Sequence, residues 1–105
     1  MIKYYILKNK KVIPCDLMTW AAWFEKADRQ VAKDTFGNAC VSTVFLGLNH
    51  SLGDGPPMLF ETMVFGGTLD QEQTQCSTWD EAKQMHLAMV KRVETGKVVK
   101  NLSKN

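Results

Sequence analysis

The chain is poor in the residues that give many small proteins their chemistry: it holds two histidines and three cysteines among 105 residues. Cys15, Cys40 and Cys76 cannot all pair within one chain, none stands in a C-x-x-C spacing, and none has a histidine close by in sequence. That usage argues against a disulfide scaffold and for reduced thiols. No apolar run approaches the roughly 20 residues that a membrane-spanning helix needs. Met1–Leu7 is too short for a signal peptide and is followed by charges, so the protein is expected to stay in the compartment where it is made. A strong excess of one charge is also lacking. The formal net charge of +2 is too small to argue for nucleic acid. Lys8, Lys10 and Lys11 near the start and Lys97, Lys100 and Lys104 near the finish read as solvated ends.

What is present suits one globular domain over residues 1–105, since 45% of residues are apolar and 23% charged. The stretch from Val41 to Gly67 organises the rest. Two apolar runs, Val41–Leu48 and Met58–Phe65, are strand-length and rich in β-branched and aromatic residues. They predict an antiparallel hairpin over 41–65. If its loop joins Leu48 to Met58, paired residue numbers sum to 106. One face then carries Val44, Leu46, Leu48, Met58, Phe60 and Val64, with Ser42 and Thr62 toward the open end. The other carries Val41, Thr43, Phe45, Gly47, Leu59, Glu61, Met63 and Phe65. That second face is too apolar for full solvation, which predicts a homodimer with Phe45, Leu59, Met63 and Phe65 at its interface.

Around the hairpin, Ile2–Leu7 and Lys11–Pro14 read as a strand and its short return, Pro14 requiring an edge. Asp16 is placed to cap a helix over 16–36, whose stripe is Leu17, Trp20, Phe24, Ala27 and Val31, with Gly37–Asn38 as its stop. Trp23 lies beside that stripe, so Trp20 is expected to be the more buried indole. Gln71–Cys76 reads as a further, edge strand. Ser77 to Asp80 forms a capping box before a second amphipathic helix over 78–95, on which Trp79, Ala82, His86, Met89 and Val93 make the stripe. Gly96 ends it, and a frayed tail is expected from about residue 98. The fold class is therefore α+β: an antiparallel sheet of 3–5 strands centred on the hairpin and packed by two helices.

The loop Asn49–Pro57 is long for a hairpin and stiffened by Gly53, Gly55, Pro56 and Pro57. It can present Asn49, His50, Ser51 and Asp54, with Glu61 in the adjoining strand, as a ligand-binding concavity. It lacks the spacing of a phosphate loop. His50 and Asp54 are the one acid–base pair in it, and no nucleophile is tied to them by a known spacing. The pool of metal ligands is His50, Asp54, Glu61 and His86, and no metal or other cofactor is expected. His86 lies on an apolar stripe, where a hydrogen-bonded core imidazole is expected.

STVFLGLNH, the Gly53-x-Gly55-Pro56-Pro57 step and LFETMVFGG together resemble a family of short, uncharacterised phage- and prophage-encoded proteins. YYIL, DLMTWAAWFE and STWDEA extend the similarity over most of Tyr4 to Val93. In that pattern an Asp is usual where Asn49 stands, a Phe where Leu52 stands and a Leu where Met58 stands. The resemblance implies no particular activity and carries over no functional residue; it implies a phage-derived protein in a bacterial host cytoplasm. The resulting expectation is a non-enzymatic accessory protein that binds a host component. Anti-defence action would be inhibition of a host protein or sequestration of a nucleotide-like signal. The alternatives are a small hydrolase or nucleotide-processing enzyme using the 49–57 loop, and a virion or assembly component.

Overall fold

A computed structural model describes residues 2–49 and 55–102, with side chains described through residue 95. The α+β class is as expected, but the strands form two antiparallel sheets instead of one. The first joins β1 (Lys3–Lys8), β2 (Lys11–Cys15) and the short β5 (Leu48–Asn49) in the order β2-β1-β5. The second joins β3 (Gln30–Phe36), β4 (Ala39–Phe45), β6 (Phe60–Phe65) and β7 (Gln73–Cys76) in that order. Helix α1 (Leu17–Lys26) packs on β1, and α2 (Trp79–Leu102) lies across the inner face of the four-stranded sheet. Pro14 does fall on an edge strand, where its missing donor costs nothing.

The helix expected over 16–36 ends at Lys26, and its second half is β3. Asp16 caps its start, accepting from the Thr19 amide at 2.8 Å. Past the last turn, Asp28 turns its carboxylate onto the Gln30 amide at 3.0 Å, a local bond that competes with continued helix. Gly37–Asn38 is then a two-residue hairpin turn between the paired Phe36 and Ala39, not a helix stop. At the other end, α2 runs through Gly96 to Leu102.

The hairpin register is also corrected. Phe45 pairs with Phe60, Thr43 with Thr62 and Val41 with Val64, so paired numbers sum to 105. The strand expected over Val41–Leu48 does not continue to a loop at Leu48. The Leu46 amide still reaches the Leu59 carbonyl, at 2.6 Å, and then the chain leaves the sheet at Gly47. Gly47 has φ +75°, and a Cβ there would stand 2.8 Å from Trp20 Nε1 and 3.1 Å from the Tyr5 carbonyl oxygen. Glycine alone allows that crossing. Its carbonyl accepts from the Tyr5 amide at 2.9 Å, and Leu48–Asn49 joins β1.

One slip of register moves every side chain of a strand to the other face. Val41, Thr43 and Phe45 therefore point inward beside Phe60, Thr62 and Val64, and all six are 0% exposed. Phe45 and Leu59, expected at a dimer interface, are core residues packed with Phe60 and Ala82. Tyr5, Leu7 and Val12 of the first sheet close over that cluster. A second cluster gathers Val41, Val64 and Met89, with Leu69 and Val93 against it.

The two indoles of α1, of which Trp20 was expected to be the more buried, are both half-buried. Trp23 meets Phe45 edge-on at 5.7 Å and packs against the main core. Trp20 stands between Tyr4 and Phe24, at 5.4 and 4.5 Å, and its buried Nε1 has no hydrogen-bond partner among the described residues. In a denaturant titration Trp23→Ala is expected to cost about 3 kcal/mol through the cavity it leaves. Trp20→Phe should cost within about 1 kcal/mol, because it also removes a buried orphan donor. A larger loss for Trp20→Phe than for Trp23→Ala would contradict this packing.

Candidate functional site

Among the described residues, two places bring chemically active side chains together. The first lies inside. Asp34 on β3, Thr43 on β4, Thr62 on β6 and His86 on α2 form one chain of hydrogen bonds across four elements. His86 Nε2 is 2.7 Å from Asp34 Oδ2, and its Nδ1 is 2.7 Å from Thr43 Oγ1. Thr43 Oγ1 is 2.5 Å from Thr62 Oγ1. With Asp34 ionised and the imidazole neutral, Nε2–H donates to the carboxylate, the Thr43 hydroxyl donates to Nδ1, and the Thr62 hydroxyl donates to Thr43.

Acid, imidazole and hydroxyl in series resemble the order of a hydrolytic triad. The environment differs. Both threonines are 0% exposed and His86 2%, so the hydroxyl at the end of the chain meets only protein. Asp34 alone reaches solvent, with its side chain 52% exposed. The array is a polar waist between the two apolar clusters, where an unpaired imidazole would be costly. His86 is thus the hydrogen-bonded core imidazole that its place on the stripe predicts.

The second place is a groove at the surface, of about 660 Å³ and open to solvent, where the β1–β2 turn meets the start of α2. Lys10, Trp79, Asp80, Glu81, Lys83 and Gln84 line it, and a continuation is walled by Asn9 and Lys11. Lys8 and Lys11 pair across the turn, leaving Asn9 and Lys10 at φ 53° and 69°. Such two-residue turns favour Asn-Gly. Asparagine tolerates the left-handed region; lysine there costs about 1–2 kcal/mol. Lys10 nevertheless occupies the glycine position and holds its Nζ 5.8 Å from the centre of the Trp79 ring. Trp79 is braced from inside by Phe60, edge-on at 6.4 Å.

The start of α2 carries its own cap. Thr78, not Ser77, is the cap residue: its Oγ1 accepts from the Glu81 amide at 3.2 Å. Glu81 Oε1 in return accepts from the Thr78 amide and hydroxyl, both at 3.1 Å, and from the Ser77 amide at 3.4 Å. The capping box is therefore Thr78–Glu81, one residue beyond the expected Ser77–Asp80. It uses the Glu81 carboxylate and leaves Asp80 exposed.

The site expected from the sequence is only partly in view. His50, Ser51 and Asp54 lie outside the described residues. Asn49 is the last residue of β5, paired with Lys3. Glu61 points to the outer face of the sheet and accepts from Gln75 Nε2 at 2.9 Å. No group of three or more metal-ligating side chains occurs among the described residues. Burial holds the Cys76 and Cys15 thiols above their ordinary range, with the nearby Glu81 and Asp16 charges adding to it. Neither is an activated thiolate. Bonds from Thr19 hold the Asp16 carboxyl below the usual carboxylate range, as a helix cap does.

Comparison with known proteins finds no matching family model, no matching curated protein and no matching solved structure. The chemistry of the site must then be argued from its own residues.

The groove was missed by sequence reasoning because Lys8–Lys11 resembled a solvated end. The one available signal was a lysine after asparagine in a two-residue turn. For the buried array, Thr43→Val is expected to cost about 2–3 kcal/mol, since it strands both Nδ1 and the Thr62 hydroxyl. Thr62→Val should cost about 1 kcal/mol, and the double variant no more than Thr43→Val alone. Strictly additive losses in urea unfolding would show that the threonines act independently.

Proposed function

We propose that the protein is a non-enzymatic binding protein, a phage-derived accessory product that engages a host component in the bacterial cytoplasm. One observation carries the reading. The sole acid–imidazole–hydroxyl series among the described residues ends in two threonines with no exposed surface, so it stabilises the fold and meets no substrate. The groove, by contrast, offers an indole with charges of both signs around it, which are groups that bind. No helix among the described residues is long and apolar enough to cross a membrane. The phage origin and the host cytoplasm rest on the resemblance of the hairpin motif.

Purified protein should then show no turnover of p-nitrophenyl acetate or p-nitrophenyl phosphate, with or without divalent metals. Turnover that is lost in a folded His86→Gln variant would contradict the reading. Turnover that survives it and is lost in His50→Ala would favour a hydrolase built on the 49–57 loop.

A homodimer belongs to the same proposal, on a changed surface. Of the four interface residues expected from sequence, Met63 and Phe65 remain on the outer sheet face, with Phe65 51% exposed. Phe65 lies opposite Cys40 and Met63 opposite Ser42, with Val44 next outward on β4, opposite Glu61. Polar bonds run among them, from Gln30 to Ser42 and from Gln75 to Glu61, both at 2.9 Å. An exposed phenylalanine on a sheet face beside other apolar side chains is what a second copy of the chain could cover. Sedimentation equilibrium should give a dimer for the wild type and a monomer for Phe65→Glu. A wild-type monomer at high micromolar concentration would refute the dimer.

A further inference from the structure

Helix α2 and the first sheet both lie against one side of the four-stranded sheet, where Val41, Phe45, Phe60 and Val64 point. The other side carries its own charge pattern. Strands β3, β4, β6 and β7 hold three charged side chains, and Asp34 is turned inward to His86. The remaining two, Lys33 and Glu61, stand on the outer face, one of each sign. Lys33 on β3 shares a row across the sheet with Ser42 and Met63. Glu61 on β6 is in the next row, opposite Val44, so two strand spacings and two residues separate the charges within one copy. Gln75 Nε2 holds Glu61 Oε2 at 2.9 Å and leaves Oε1 to a second donor.

We infer that the outer face binds the same face of a second copy about a two-fold axis along the strands between β4 and β6, and that Lys33 of each copy pairs with Glu61 of the other. A two-fold interface brings one patch onto itself, so its charges must complement each other. One cation and one anion do so, and both pairs form at once. A partner of a single charge sign would leave one of the two opposed by a like charge. The charges also select the axis. Rotation about the strand direction sets β4 over β6 of the other copy, which leaves Lys33 and the opposing Glu61 one strand spacing and two residues apart. With stacked sheets about 10 Å apart, their Cα atoms stand about 13 Å from each other, a gap that extended lysine and glutamate side chains span. An axis across the strands would leave the two charges at least two strands apart. The chosen rotation also lays the exposed Phe65 ring over Cys40 of the other copy. The inference rests on the homodimer proposed above and states how its faces meet.

The test uses the full chain and begins without any variant. Unlabelled and nitrogen-15-labelled wild type are mixed in equal amounts, treated with a zero-length carbodiimide, digested and weighed by mass spectrometry. A Lys33–Glu61 cross-link that joins a light peptide to a heavy one is expected. In sedimentation equilibrium, Lys33→Glu alone and Glu61→Lys alone should each weaken the dimer about tenfold, because two attractive pairs become repulsive. An equal mixture of the two variants should dimerise about as tightly as the wild type, since their heterodimer restores opposite charges at both pairs. In a dimeric wild type, absence of the mixed cross-link would overturn the inference and leave the homodimer standing. A mixture of variants no tighter than either alone would do the same. A monomeric wild type would overturn both the inference and the homodimer on which it rests.

Discussion

A histidine buried under a helix must find partners for both ring nitrogens, and the arrangement of the four-stranded sheet follows from how it finds them. His86 lies midway along the inward face of α2, between Ala82 toward the first cluster and Met89 toward the second. Nδ1 is hydrogen-bonded to Thr43 on β4, and Nε2 to Asp34 on β3. For Thr43 to reach the ring, β4 must turn Thr43 inward; that choice also turns Val41 and Phe45 inward and Ser42 and Val44 outward. The pairing of Thr43 with Thr62 then fixes β6 against β4. A register one residue away would place a valine or serine opposite the imidazole and take Phe45 out of the core.

The same requirement explains which parts of the structure were legible beforehand. The α2 stripe was, because Ala82, His86, Met89 and Val93 recur at helical spacing and the sheet below them needs such a face. The inward face of β6 was also legible, since Phe60 and Val64 outweigh Thr62 between them. On β4 the apolar content of the two faces is nearly balanced. Val44 and Leu46 argue for one and Val41 and Phe45 for the other, and the hydrogen-bonding need of a residue some 40 positions away decides between them. Gly47 hid the crossing between sheets, because a single glycine inside an apolar run reads as part of the strand.

The error at α1 has a different cause. Val31 continues the spacing of Trp20, Phe24 and Ala27, so periodicity extends the helix through it. The chain turns instead on two local contacts, Asp28 with the Gln30 amide and the hairpin turn at Gly37–Asn38. Pairing with β4 then outweighs helical propensity. The shorter helix brings Trp23 onto Phe45 and leaves Trp20 in the outer aromatic row with Tyr4 and Phe24. Of the candidate site, little could be read. Lysines near a chain end are ordinary until the fold places one of them over an indole, and that contact joins segments almost 70 residues apart.

The claim on which the account depends is that the Asp34–His86–Thr43–Thr62 series is closed to solvent and structural. Nuclear magnetic resonance of the hydroxyl protons tests it most directly. The account predicts that the Thr43 and Thr62 hydroxyl protons are visible and exchange slowly with water, with His86 in the Nε2–H form and Nδ1 accepting. Fast exchange of both hydroxyls, together with a His86 ring protonated on Nδ1 alone, would show an accessible array with another hydrogen-bond order and would contradict the account.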